Sequence, residues 1–195
     1  QSAVINAPLR SAASTMTMAV AVEFFSRVWR SLAGTKTFLW GPHVTVLPQL
    51  SLRQTGADFV VRGEGFLTLP GLFYALGEPG EDCGAIPGLA YFDAGGGYVQ
   101  TPEAPLLERV DDLPRLDYRE MSPARFRAHN WHSFGHLAAR SPYAVVWTSF
   151  GCPYACRFCC VNNLYHGERR QRFRNLASVV EEIGELYERH GVRQY

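Results

Sequence analysis

The sequence predicts an α/β protein. Three observations predict it. Strand-like and helix-like segments alternate between residues 37 and 76. An apolar run at 143–148 leads straight into a cluster of cysteines. An amphipathic helical pattern follows at 178–190. Alternation of the two periods is the grammar of a parallel sheet covered by helices.

Taken in order, Ser2 to Ile5 is a short apolar run suited to a buried strand. From about Ser14, Val20, Phe24, Val28 and Leu32 recur every four residues, joined by Phe25 and Trp29, and Gly34 is a natural stop. Thr37 to Trp40 is the next strand and runs into Gly41-Pro42-His43. A short helix is predicted over Pro48 to Thr55, then a strand at Phe59-Val60-Val61. That strand enters Arg62-Gly63-Glu64-Gly65 and a helix bearing Leu69, Leu72, Phe73 and Leu76.

The grammar changes after Leu76. Gly77 to Gly88 is rich in Gly, Pro and acid, the composition of a loop. Leu89 to Phe92 and Tyr98 to Thr101 flank Asp93-Ala94-Gly95-Gly96-Gly97, which predicts a β-hairpin with a loose turn. Several prolines and Asp111-Asp112 mark Pro102 to Pro123 as a connecting stretch. Tyr143 to Thr148 is nearly continuous in apolar residues, as in a strand covered on both faces. A last helix runs from about Ser178 to His190, with Ser178 and Glu181 at capping-box spacing. Val179, Val180, Ile183, Leu186 and Tyr187 form its apolar stripe, Glu181, Glu182, Glu185 and Glu188 its solvated face, and Gly191 its end. Val192 to Tyr195 begins a further strand.

The chain has 195 residues, 47% of them hydrophobic, enough for one ordinary domain or two small ones with a sizeable core. Basic and acidic residues number 19 and 18, so no global charge favours nucleic acid or an anionic membrane. No signal peptide is read, and the most apolar helical segment, Met16 to Leu32, carries Glu23, Arg27 and Arg30, which argues against a membrane span. Four of the five cysteines, Cys152, Cys156, Cys159 and Cys160, fall within nine residues, Cys83 being the other. A secreted disulfide framework spreads its cysteines. The cluster points to a metal or iron–sulfur site in a reducing compartment, hence to a cytoplasmic protein.

Cys152-x3-Cys156-x2-Cys159 supplies three thiolates. Three thiolates hold three irons of a cubane cluster, whereas an electron-transfer ferredoxin supplies four. The fourth iron is left open for another ligand. A zinc site instead wants four ligands, and Cys160 or His166 could complete one. Outside such a site, Cys160 is expected to be a small buried residue. His129, His132 and His136 have spacings that a helix could turn to metal binding, but the residues between them make a poor helix. Arg157, Arg169, Arg170, Arg172 and Arg174 form a basic stretch, read as solvated or paired with carboxylates in preference to an RNA-binding face.

The cysteine spacing, with Phe158 before the last cysteine and Gly151, Pro153 and Tyr154 around the first, resembles the motif of the radical S-adenosylmethionine (SAM) superfamily. The segments Gly41-Pro42-His43-Val44-Thr45-Val46-Leu47-Pro48 and Ala57-Asp58-Phe59-Val60-Val61-Arg62-Gly63-Glu64-Gly65 resemble the second half of the cobalamin-binding domain that precedes a radical SAM barrel. Ile86-Pro87-Gly88-Leu89-Ala90-Tyr91 and Val110-Asp111-Asp112-Leu113-Pro114 are similar to the connector of that architecture, and Arg172 to Gly191 to the first barrel helix and its approach.

The resemblance implies three pieces: part of a Rossmann-like cobalamin-binding domain at 1–77, a connector with a β-hairpin at 78–142, and the first βα unit of a (β/α) barrel at 143–195. It implies a [4Fe–4S] cluster on Cys152, Cys156 and Cys159, SAM on the open iron with Phe158 beside it, and cobalamin against Gly41, Pro42, His43, Gly63, Glu64 and Gly65, chiefly through backbone. SAM is cleaved reductively in such enzymes to a 5′-deoxyadenosyl radical. Two departures stand out. The usual paired glycine before Pro-His is Trp40-Gly41 here, and the cobalt-ligating Asp-x-His-x-x-Gly segment is absent, so His43 is no cobalt ligand.

Such a barrel takes on the order of 200 residues, and only about 50 follow Tyr143. The sequence is therefore expected to be a piece of a longer enzyme and inactive by itself. The function expected is cobalamin-dependent methyl transfer to a small molecule, with an external electron donor of the flavodoxin or ferredoxin type. The alternatives are a cobalamin-independent radical SAM oxidoreductase or cyclase, and a zinc-stabilised, non-catalytic binding module.

Overall fold

The computed structural model describes residues 36–77, 82–129 and 140–195. The strand expected at 2–5, the helix from about Ser14, and His132 and His136 lie outside the described residues. The chain divides into two compact units, one running to Leu106 and including Ala155–Glu168, the other made of Leu107–Tyr154 and Arg169–Tyr195.

The first unit is organised by its sheet. β1 (Phe38–Trp40) leads into two short helices, α1 (Pro42–Val46) and α2 (Pro48–Thr55), and then into β2 (Phe59–Val61). Each helix opens on a proline, whose fixed φ suits a first turn and whose missing N–H loses nothing there. Helix α3 (Thr68–Gly77) follows, then the hairpin of β3 (Leu89–Phe92) and β4 (Tyr98–Gln100). The strand order is β1-β2-β3-β4. β1 and β2 are parallel, with Leu39 opposite Val60. β2 and β3 are antiparallel, with Val60 opposite Ala90.

The sheet is thus mixed, where alternation alone predicts a parallel one. The physical reason lies in β2. All three of its residues are buried, so both of its edges need hydrogen-bonding partners. The hairpin expected in the connector supplies one of them. Its turn is closed by Asp93, whose carboxylate accepts from the Gly95 and Gly97 amides at 2.9 and 2.8 Å. The two faces of the sheet carry separate cores. Val60 and Ala90 pack with Val44 of α1 and Leu52 of α2, while Phe59, Val61 and Leu89 pack with Leu72 of α3.

In the second unit, Tyr143 to Thr148 departs from expectation. It forms one parallel bridge, Tyr143 to Gln194, and so does the strand expected at Val192 to Tyr195. Ala144 and Val146 pack with Tyr118, Leu186 and Val192, while Val145 and Trp147 are exposed. Only alternate residues are covered, so the run is half-buried. The strand that delivers the cysteines is instead β5 (Ser149–Gly151), antiparallel to β6 (Gln171–Phe173).

Helix α4 (Leu176–His190) begins earlier than its capping-box spacing suggests. Its N-cap is Asn175, whose side chain accepts from the Ala177 amide at 2.8 Å. Asp111 accepts from the Asn175 amide at 2.8 Å, which gives the acidic pair of the connector a role at this helix start. Ser178 lies inside the helix and accepts from Arg174. Gly191 ends it in a left-handed conformation, as predicted. The apolar stripe is narrower than predicted: Val179 and Leu186 are buried, whereas Val180, Ile183 and Tyr187 are exposed.

Glu182, expected in solvent, is 3% exposed. It accepts a hydrogen bond from the Tyr118 hydroxyl and forms an ion pair with Arg174. Burial, and then the Glu182 carboxylate, push the Tyr118 hydroxyl well above the usual tyrosine range, so it stays a donor. Arg174 also donates to the Trp147 carbonyl at 2.9 Å. A buried charge of this kind persists only with partners.

Among the described residues no helix is long and apolar enough to cross a membrane.

Two outcomes follow for stability. Leu72→Ala removes a fully buried side chain from the α3 face and should cost roughly 2–5 kcal/mol, read from urea denaturation. Glu182→Ala strands Arg174 and Tyr118 and should cost roughly 3–5 kcal/mol, Glu182→Gln distinctly less because its carbonyl still accepts.

Candidate functional site

The cysteine loop leaves β5 at Gly151, whose φ is +94°. A Cβ at Gly151 would collide with the Arg170 carbonyl across the strand pair, so both conformation and space demand glycine immediately before Cys152. All of the cysteines in the loop are free thiols: Cys152 and Cys159 half-buried, Cys156 and Cys160 exposed. No helix or strand occupies the residues between Cys152 and Cys159, and the Cys159 amide donates to the Cys156 carbonyl at 3.0 Å in a tight turn. Phe158 is 94% exposed.

Thiols on an open loop are the donor type that an iron–sulfur cluster takes, and a cubane with one open iron takes three of them. Among the described residues, no group of three or more His, Cys, Asp or Glu side chains is drawn together as a ready ligand set.

Cys160 is a correction. Its apolar character predicts burial, but it is exposed at the start of a short 3₁₀ helix, Val161–Tyr165. His166, the other candidate for a fourth zinc ligand, is already engaged. Its Nε2 donates to the Ala104 carbonyl at 2.9 Å, and its Nδ1 lies 3.2 Å from Glu103. Cys83 is remote from this chemistry in kind: burial, then the Asp82 carboxylate, raise its thiol pKa, which suppresses the reactive thiolate.

The two strand-end turns of the first unit are stitched together. Gly41-Pro42-His43, into which β1 runs, opens helix α1 at Pro42. The Thr45 hydroxyl donates to the Gly41 carbonyl at 2.8 Å and accepts from the Gly63 amide at 3.1 Å. The Trp40 indole donates to the Gly63 carbonyl at 3.0 Å. Gly63, Glu64 and Gly65 are buried, whereas His43 is exposed. Trp40 and Thr45 therefore shape the turns, a role that the motif resemblance does not single out. The signal for Trp40 was its departure from the paired-glycine pattern.

Beside these turns lies a cavity of about 370 Å³, lined by Thr45, Val46, Arg62, Glu103, Asn163, His166 and Gly167. None of the six carried-over candidates lines it. Its walls are polar, with the buried Arg62 and the Glu103 carboxylate 3.7 Å apart.

The basic stretch is largely paired. Arg170 makes a two-point contact with Glu108, Arg172 is buried and donates to the Leu107 carbonyl, and Arg174 meets Glu182.

No protein-family model matches the chain. Curated relatives do. An uncharacterized methyltransferase of Pyrococcus horikoshii is 35% identical over 155 residues, which is 79% of this chain and 31% of the relative. The anaerobic magnesium-protoporphyrin IX monomethyl ester cyclase of Rubrivivax gelatinosus is 29% identical over 160 residues, 80% of this chain and 26% of the relative. The chain thus spans about a third or less of the length of these relatives.

Among solved structures, the radical SAM methyltransferase TsrM from Kitasatospora setae, with tryptophan and a SAM analogue bound, matches 89% of this chain and 31% of its own. The TM-score is 0.62 at 22% identity. A second structure of TsrM, with cobalamin and a [4Fe–4S] cluster bound, matches with a TM-score of 0.59. At these identities the likeness concerns the mixed α/β fold. The chain is thus similar in sequence to that methyltransferase and that cyclase, and in fold to the radical SAM methyltransferase TsrM, in keeping with the resemblance read from the sequence.

Proposed function

We propose that this chain contains the cluster-binding loop of a radical SAM enzyme, with Cys152, Cys156 and Cys159 as the three iron ligands. The observation that carries the reading is the set of three free thiols on an irregular loop, entered through a glycine that tolerates no side chain. When bound, a [4Fe–4S] cluster with one open iron supplies the site where SAM chelates and the electron for its reductive cleavage. Phe158, almost wholly exposed beside Cys159, has the apolar face needed to line the SAM site.

Cobalamin is the second cofactor of the proposal. Gly41, Pro42, His43, Gly63, Glu64 and Gly65 lie at the ends of β1 and β2, and ligands of open α/β sheets bind beyond strand ends. Residues 1–77 then serve as part of the cobalamin domain, 78–142 as the connector with its hairpin, and 143–195 as the start of the barrel. Methyl transfer to a small molecule is the leading reaction, supported by the methyltransferase relative. The cyclase relative favours a second reading, in which the cluster is kept and the reaction is an oxidative cyclisation. The zinc module loses support from His166, whose two ring nitrogens already face oxygens. The electron enters from an external flavodoxin- or ferredoxin-type donor. Clustered free thiols support a reducing, cytoplasmic setting.

Anaerobic reconstitution tests the cluster. The chain should take up about four irons, and Cys152→Ala, Cys156→Ala or Cys159→Ala should each abolish stable uptake, while Cys160→Ala leaves it intact. Stoichiometric zinc without iron would overturn the reading. The visible spectrum of the protein purified from corrinoid-supplied cells tests the second cofactor: a corrinoid band supports methyl transfer, and its absence with the cluster present favours the cyclisation reading.

A further inference from the structure

Ala155–Glu168 packs as part of the first unit, and it carries two of the three proposed iron ligands. The side chain that fastens it is His166. This residue closes the 3₁₀ helix Val161–Tyr165 with a φ of +53°, a conformation that few side-chain-bearing residues adopt, Asn, Asp and His among the most tolerant. Its side chain is only 17% exposed. The Ala104 carbonyl, 2.9 Å from Nε2, can only accept, so that nitrogen donates to it. On the other side of the ring Nδ1 faces the Glu103 carboxylate at 3.2 Å.

The clasp reaches the sheet by two routes. The other Glu103 oxygen lies 3.7 Å from Nη2 of buried Arg62, whose Nη1 donates to the Thr101 carbonyl at 3.0 Å. The imidazole itself lies over Gly63: a Cβ there would meet His166 Cε1 at 3.2 Å, and the Leu164 carbonyl at 3.5 Å. With a φ of +74° as well, Gly63 provides the clearance that lets the segment approach.

From His166 the constraint passes back along the chain. The Gly167 amide donates to the Asn162 carbonyl at 3.0 Å, the Asn163 amide to Cys160 at 3.2 Å, and the Cys159 amide to Cys156 at 3.0 Å. These consecutive turns leave little slack between the clasp and the thiols.

We propose that His166 is a positioning residue: clasped between Ala104 and Glu103 above Gly63, it fixes where Cys156 and Cys159 stand against the first unit. What those thiols hold rests on the cluster reading; the clasp itself does not.

Two measurements on the full chain separate the two. Hydrogen exchange, without iron, follows the amides of Cys159, Asn163 and Gly167. His166→Asn keeps a residue at ease with positive φ but falls short of Ala104, and should speed these amides about fivefold, the worth of one lost hydrogen bond, with Phe59–Val61 unchanged. His166→Gln retains length and a donor and should restore most of the protection. After anaerobic reconstitution, His166→Asn should release iron to a chelator about fivefold faster and broaden the electron paramagnetic resonance signal of the reduced cluster, His166→Gln much less. Exchange at the parent rate in His166→Asn overturns the clasp, as does loss of protection throughout β2. Faster exchange with unaltered iron release and spectrum overturns the positioning role. Should the parent chain take up no iron while the exchange result holds, the cluster reading falls and the clasp stands.

Discussion

The three residues of β2 bear the weight of the first unit. Phe59, Val60 and Val61 are buried on both faces of the sheet and bonded on both edges. A strand in that position cannot slide, because a one-residue slip would exchange the contents of two different cores. Everything that could meet a ligand is therefore measured from its end: Arg62 turns inward, Gly63 accepts the Trp40 indole, and Glu64 and Gly65 are buried behind it. The hairpin is part of the same constraint. It completes the edge that an all-parallel arrangement would have left to another strand.

In the second unit the comparable constraint is electrostatic. Glu182 draws Tyr118 from the connector and Arg174 from the approach to α4 onto one carboxylate. Arg174 in turn holds the Trp147 carbonyl, and its amide donates to Thr148 at 3.0 Å, just ahead of β5. The strand that presents Cys152 is thereby tied to a buried charge. Polar burial of this sort adds orientation more than net stability, since each charge taken from water has to be compensated.

Much of this was legible in sequence. β2, α2, α3 and the hairpin announce themselves through period, flanking glycines and the Asp93 turn, all of them local signals. The cysteine triad stands out in the sequence for a chemical reason: few contexts other than metal ligation call for three thiols at such spacing. What escaped is what depends on distant partners. The burial of Glu182 is decided by Tyr118, 64 residues away, and nothing within its own helix distinguishes it from Glu181 or Glu185. Ser178 has the right spacing for a cap, but Asn175 reaches the free amide first. Val180 and Tyr187 satisfy helical periodicity without being covered, because periodicity names a face and not its neighbour. Cys160 has the character of a core residue, and a surface 3₁₀ turn places it in solvent.

The Trp40 indole has a consequence of another kind. It is half exposed, yet its nitrogen is held by the turn at Gly63 and its ring lies against Gly65. An indole so placed has one polar tether and one wet face. With the other three tryptophans of the chain replaced, its emission would serve as a built-in optical gauge at the strand ends, altering in colour and intensity with any change in the turn at Gly63.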